Sequence, residues 1–212
     1  MSGLVVVRHG RTEANATRRL LGHLDLPLDE LGRAQARALA EAVGPVDRVV
    51  SSPLLRTRQT AEAFGAPVEI DDRLIELDYG TYDGMALADV PAELWRQWRA
   101  DPDFALPGGE SLAALRRRVE AALVELAEAA RRHTVVVVAH VSPIKAAVTW
   151  ALGVGDDVTW RLFVSPASIT RIAVGERGPI LQTFNEVAHL LEVTDPARAA
   201  GQADPAGPGA AR

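Results

Sequence analysis

Two histidines stand directly after short apolar runs rich in β-branched residues. Leu4-Val5-Val6-Val7 leads into Arg8-His9-Gly10-Arg11-Thr12, and Val135-Val136-Val137-Val138-Ala139 leads into His140. A neutral imidazole can act as nucleophile or proton carrier near pH 7, because its ordinary pKa is about 6.5. Arg8 adjoins the first histidine, and Arg56 follows a third short run, Asp47 to Ser51. Guanidinium groups offer rigid forks of N–H donors that match phosphate oxygens. A carboxylate, Glu76, lies in Leu74-Ile75-Glu76-Leu77-Asp78-Tyr79-Gly80, a loop-like segment. Brought together, two imidazoles, two guanidinium groups and one carboxylate could transfer an anionic group, with a nucleophile, a clamp and a proton donor. Taken singly, each has an ordinary explanation: a hydrogen-bonding histidine, a solvated arginine, a loop carboxylate. Only their convergence would make a site.

The surrounding elements provide for convergence. Residues 4–7, 47–51, 68–70 and 135–139 read as strands, most of them short enough and apolar enough to be buried. Between them lie helical patterns. Asp29 can cap a helix to about Val43, stopped by Gly44-Pro45; Pro53 opens one to about Phe64. Leu112, Leu115, Val119, Leu123 and Leu126 share one face of a helix over 111–132, with Arg116-Arg117-Arg118 mostly solvated. A further helix covers about Ile144 to Leu152. Ser168 to Val174 and Pro179 to Phe184 flank a Gly175–Gly178 turn and read as a hairpin. Alternating strands and helices predict an α/β fold, a three-layer α/β/α sandwich on a mainly parallel, mixed sheet. In such sheets ligands bind outside the carboxyl ends of the strands, where both histidines emerge. Residues 85–106, with Trp95 and Trp98, read as a small inserted helical lid. The last stretch, 195–212, is Ala, Gly, Pro and Asp without apolar periodicity and reads as a disordered tail after one domain over 1–194.

Composition narrows the function. The chain has 212 residues, no cysteine and a formal net charge of −5. Without cysteine there is no disulfide, thiolate metal site or thiol nucleophile. The acidic balance opposes general nucleic-acid binding, which needs a basic surface. The apolar N-terminus is too short for a membrane helix and lacks a basic start, so no membrane partner and a cytoplasmic location are expected. Of 23 basic residues, only Lys145 is a lysine; the surplus of arginine, like that of Ala, Gly and Pro, reads mainly as coding bias.

The motifs, taken in order, resemble those of the histidine phosphatase superfamily, which includes the phosphoglycerate mutases. Arg8-His9-Gly10 with Thr12 and Asn15 is similar to its signature. Ser51-Ser52-Pro53-Leu54-Leu55-Arg56-Thr57-Arg58-Gln59-Thr60-Ala61 resembles its second motif, Glu76 to Gly80 followed by Asp83-Gly84 its acid-bearing motif, Pro107-Gly108-Gly109-Glu110-Ser111 the turn before its long helix, and Val135 to His140 its second-histidine motif. A lone RHG triplet is weak; the ordered set spans about residues 3–190. The resemblance implies phosphoryl transfer through a phosphohistidine on His9, with Arg8, Arg56 and His140 holding phosphate oxygens and Glu76 as acid and base. Asn15, Arg11, Thr12, Gly22 and Val141 are then expected at the phosphate or substrate, Arg11 with equal claim to face solvent. Burial would raise the pKa of Glu76 and the arginines would lower it. The clamp does the work a metal does elsewhere, so no metal or cofactor is expected. The wording Ala139-His140-Val141-Ser142-Pro143-Ile144-Lys145 departs from the glycine common after the second histidine. It resembles α-ribazole-phosphatase-like and actinobacterial acid phosphatase domains, some of which are fused to ribonuclease H, a domain absent from these residues. Pro143 has no N–H to offer a phosphate.

A mutase must hold its intermediate away from water. Family mutases use a long insertion before the long helix, whereas only the 30 residues Leu77 to Leu106 lie here between Glu76 and Pro107. The expected activity is therefore hydrolysis of a small phosphorylated metabolite. Mutase action is the alternative, and silent phospho-ligand binding a weaker one. His23, Tyr82, Trp95, Trp98 and Arg99 are rim candidates that could instead be packing, the commoner place for aromatic side chains in a helix; His133 has an ordinary structural reading, and His189 fits surface or rim. The family's monomers, dimers and tetramers make a homodimer one of the expected assemblies.

Overall fold

The computed structural model describes residues 2–193, so the tail expected over 195–212 lies outside the described residues. Strands β1 (Gly3–Arg8), β2 (Arg48–Ser51), β3 (Val68–Ile70), β4 (Thr134–Ala139), β5 (Ile169–Gly175) and β6 (Gly178–Glu186) form one sheet in the order β3-β2-β4-β1-β5-β6. The first four are parallel; β5 runs antiparallel to β1, and β6 to β5. The sheet is mixed, as the terminal hairpin predicts.

Side-chain alternation builds the layers. Leu4 and Val6 of β1, with Val135 and Val137 of β4, face α5 (Leu112–Ala130) and α6 (Val141–Leu152) and pack with Leu115, Val119, Leu123 and Ile144. Val5, Val7, Val136 and Val138 face the other way, with Leu39 of α2 (Glu30–Val43) and Ala61 of α3 (Leu55–Glu62). Strands buried on both faces must be apolar at every position, which explains the unbroken valine runs.

Three helix starts differ from the expected ones. Helix α3 begins at Leu55 rather than at Pro53, with Leu54 at its N-cap. Helix α6 begins at Val141 rather than about Ile144, because Pro143 occupies its first turn, where the absent N–H has no intrahelical acceptor to lose. A short helix, α1 (Glu13–Ala16), is new; Thr12 caps it, and Thr12 and Asn15 exchange bonds between side chain and backbone.

The insertion over 85–106 holds one helix, α4 (Ala92–Ala100), preceded by a 3₁₀ turn at Leu87–Asp89. Its aromatic rings pack inward. Trp98 is buried, stacks on Trp95 with centroids 5.5 Å apart, and meets Trp160 edge-on. Arg99 lies over the Trp160 ring, and Tyr82 packs on the core. These rim candidates are packing residues.

Candidate active site

Register brings the histidines together. Arg8 pairs with Ala139 across β1 and β4, and His9 N–H donates to the Ala139 carbonyl at 3.1 Å. The next residue after each strand is therefore His9 or His140, and their ring centroids lie 5.2 Å apart. Strand β2 lies on the other side of β4, with Ser52 N–H on the Val138 carbonyl. This sets the Ser52 hydroxyl 2.7 Å from His140 Nε2.

Hydrogen bonds define both rings. His9 Nδ1 lies 2.7 Å from the Gly10 carbonyl, which can only accept, so Nδ1 carries the proton and Nε2 keeps a free lone pair. Gly10 is held in turn: its N–H donates to Thr60 Oγ1, and a Cβ there would meet the Gly32 carbonyl at 2.3 Å. His140 Nδ1 accepts from Arg56 Nε at 3.2 Å, so its proton sits on Nε2 and faces Ser52. Both imidazoles are buried. Burial first, then the charges of Arg56 and Arg8, pushes His9 well below the ordinary histidine pKa; the Gly10 carbonyl opposes this. Burial, Arg56 and His9 do the same to His140. Both rings are neutral at pH 7.

The cations are held by backbone oxygen. Arg56 is fully buried on the first turn of α3; Nη1 donates to the Leu24 carbonyl at 2.9 Å and Nη2 to the Gly22 carbonyl at 2.6 Å. Burial lowers its pKa, while Glu76, Asp25 and Asp83 raise it. Arg8 ends β1, with Nη1 on the Val164 carbonyl at 2.7 Å and a buried Nε that has no partner. Its pKa falls to about 10, chiefly by burial and against the pull of Glu76, so it stays charged.

Glu76 is buried too. Its Oε1 accepts the N–H of Leu77 at 2.8 Å and of Ser142 at 3.1 Å. Ser142 is the second residue of α6, where a backbone N–H has no intrahelical acceptor and Glu76 supplies one. Nearby, Tyr79 hydrogen-bonds to Ser142, and burial with Glu76 raises its hydroxyl pKa. The turn carrying Glu76 is braced by glycines: a Cβ at Gly80 would meet the Pro107 carbonyl at 2.2 Å, and one at Gly109 the Asp78 carbonyl at 2.4 Å. The Pro107-Gly108-Gly109 motif is thus a seat for the acid-bearing loop.

The remaining expected contacts divide. Asn15 spends its Oδ1 on Thr12 and keeps its amide donors. Thr12 is fully buried and its hydroxyl is used inside this cap, which corrects its expected place at the phosphate. Arg11 pairs through its Nε with Asp29 Oδ2 at 2.7 Å, at the cap of α2. Gly22 gives its N–H to Asp83 and its carbonyl to Arg56, so it shapes the clamp. Val141 is the first residue of α6, where the N–H has no intrahelical partner. His23 Nε2 meets the Glu76 carbonyl at 2.9 Å. His189 bonds the Ala167 carbonyl, and His133 is exposed near Asp47.

Two supporting residues escape sequence reasoning. Asp83 accepts the N–H groups of Gly22, His23 and Leu24 at 2.7–2.8 Å, fixing the carbonyls that grip Arg56. Arg118, expected in solvent, donates to the carbonyls of Arg73, Ile75 and Glu76 and forms a fork with Glu110. A signal for Arg118 lay in its place on α5, three residues from Leu115 and one from Val119, which puts its stem beside the apolar stripe. Among the described residues, no group of three or more His, Asp or Glu is placed to hold a metal ion, and no helix is long and apolar enough to cross a membrane.

Comparison with known proteins agrees with this geometry. Residues 4–187 match the model of the histidine phosphatase superfamily, branch 1. Phosphoserine phosphatase 1 of Hydrogenobacter thermophilus is 37% identical over 202 residues, covering 91% of this chain and 96% of its own. Phosphoserine phosphatase of Entamoeba histolytica, solved with phosphoserine, superposes with a TM-score of 0.83 at 26% identity, over 90% of this chain and 100% of that one. A mycobacterial glucosyl-3-phosphoglycerate phosphatase superposes with a TM-score of 0.78 at 31% identity, over 88% and 99%. With the paired histidines, buried arginines and helix-bound glutamate in one place, the chain belongs to the histidine phosphatase superfamily.

Proposed function

We propose that this protein is a metal-independent phosphomonoesterase that works through a phosphohistidine on His9. The observation that carries the reading is the Nδ1–H bond from His9 to Gly10, which leaves Nε2 as a free nucleophile beside His140 and two buried arginines. In the first step a bond forms between Nε2 and phosphorus while the ester P–O bond breaks, and Glu76 gives its proton to the leaving oxygen. In the second, Glu76 takes a proton from water, whose oxygen attacks phosphorus as the N–P bond breaks. Arg8, Arg56 and the Asn15 amide hold the equatorial oxygens, so most of the catalysis is positioning and charge stabilisation. Neutral His140 keeps its Nδ1 on Arg56 and its proton on Nε2, on the Ser52 side, and is the donor this reading assigns to a further phosphate oxygen. Val141 N–H, at the start of α6, extends the same anion site.

The relatives act on, or were solved with, phosphorylated serine and glycerate derivatives. A small phosphorylated metabolite of that kind is the proposed substrate, with a cytoplasmic location and a homodimer as the finer expectations. The short insertion favours water as acceptor over a second substrate oxygen. The test is incubation with 3-phosphoglycerate and a panel of phosphomonoesters in the presence of a chelator. Phosphate release without isomerisation supports hydrolysis. 2-Phosphoglycerate formed faster than phosphate establishes the mutase, and tight phosphate binding without turnover the silent binder.

A further inference from the structure

The chain's one lysine, Lys145, lies in the second turn of α6, four residues after Val141 and three after Ser142. At that spacing the three share a helix face. Helical side chains lean toward the N-terminus, which carries the Lys145 stem back over the turn whose Ser142 N–H binds Glu76. Lys145 is half-buried, and among the described residues its ammonium has neither a hydrogen bond nor an ion pair. The other cations of the site each hold oxygen partners, although Arg8 Nε is left over: Arg8 and Arg56 grip backbone carbonyls, and Arg118 grips carbonyls and Glu110. Burial lowers the Lys145 pKa, Glu76 raises it and Arg8 lowers it, so the group stands in the field of the site. A partly desolvated cation without a partner carries a cost that an incoming anion would offset.

The side of the site matters. Glu76 serves the leaving oxygen, so the departing part of the substrate lies toward α6. The phosphoryl group has its own clamp of two arginines and an imidazole. A single compact ammonium suits a group of single charge better than a second phosphate, for which forked donors serve better. We infer that Lys145 binds a carboxylate on the leaving-group portion of the substrate, a few bonds from the phosphate ester, and thereby selects phosphorylated acids over phosphorylated alcohols. The inference rests on the phosphatase reading of the same site.

A matched pair of esters tests it: 3-phosphoglycerate and glycerol 3-phosphate differ only in a carboxylate against a hydroxymethyl group. The readout is the ratio of their kcat/KM values, in which losses of folded enzyme cancel. Wild type is expected to favour 3-phosphoglycerate. In Lys145→Met and Lys145→Gln that ratio falls at least about tenfold, mainly through KM for the acid, while Lys145→Arg retains most of it. An unchanged ratio in the Met and Gln variants, or a wild type with no preference, overturns the inference while leaving the phosphatase reading intact. Refusal of every ester by wild type overturns that reading as well.

Discussion

Replacing Glu76 separates its chemistry from its structural duty. The Glu76→Ala change would strip the acceptor from two buried N–H groups, those of Leu77 and Ser142. Each such loss costs about 1–3 kcal/mol, so the variant would lose about 2–6 kcal/mol of stability before any effect on chemistry. Glu76→Gln keeps an acceptor oxygen at the same reach but cannot pass a proton to a leaving oxygen. Its effect on rate therefore reports proton transfer. For 3-phosphoglycerate, whose leaving alkoxide needs that proton, kcat should fall about 10²–10⁴-fold, the usual range for loss of a general acid. That corresponds to about 3–5 kcal/mol in the barrier. For p-nitrophenyl phosphate, whose leaving anion is stable unaided, the loss should stay below about tenfold. Steady-state phosphate release from both esters, with a thermal melt to confirm folding, makes the comparison. Equal losses on the two esters would remove Glu76 from the acid role and refute the reasoning.

Other consequences follow from the supporting residues. Arg118→Ala frees three carbonyls and Glu110; about 3 kcal/mol should be lost, seen as a Tm lower by roughly 6–12 °C. The same variant should lower kcat more than it raises KM, since it loosens the loop that aims Glu76. Gly22→Ala would put a Cβ 2.7 Å from the Leu77 carbonyl and 2.9 Å from Tyr79 Cδ2; the loop must move, Arg56 loses a carbonyl, and kcat/KM should fall by about tenfold or more. The histidines give a pH dependence. Both have folded pKa values below the ordinary value, so the unfolded chain binds protons first as pH falls. Their contribution to stability is complete above about pH 6.5 and declines below it. Melts of wild type and His9→Gln between pH 8 and pH 5 (roughly one unit or more either side of that value) should diverge on the acidic side, wild type falling more steeply. Parallel slopes would contradict the burial argument.

The fold was legible where one physical cause dominates. The valine runs before His9 and His140 have no reading other than buried strands, and their equivalent ends predicted the meeting that register delivers. Pro143 looks like a helix boundary in sequence, yet it stands inside the first turn of α6, which tolerates it. A threonine hydroxyl suits both anions and caps, and only the backbone geometry decides that Thr12 is a cap. Asp83 and Arg118 act on backbone groups distant in sequence, and nothing in local spacing says which carbonyls or N–H groups will lie nearby. Trp95 and Trp98 suit packing better than the rim by residue type alone, and Trp160, far along the chain, completes their cluster.

The central claim is that phosphate passes covalently through His9 Nε2. Rapid acid-free quench of the enzyme with a ³²P-labelled ester, followed by peptide mapping, tests it directly. The account predicts label on the peptide containing His9, stable in alkali and lost in acid, chased by water, and absent from His9→Ala. Label on another residue, or full turnover by His9→Ala with no labelled protein, would contradict it.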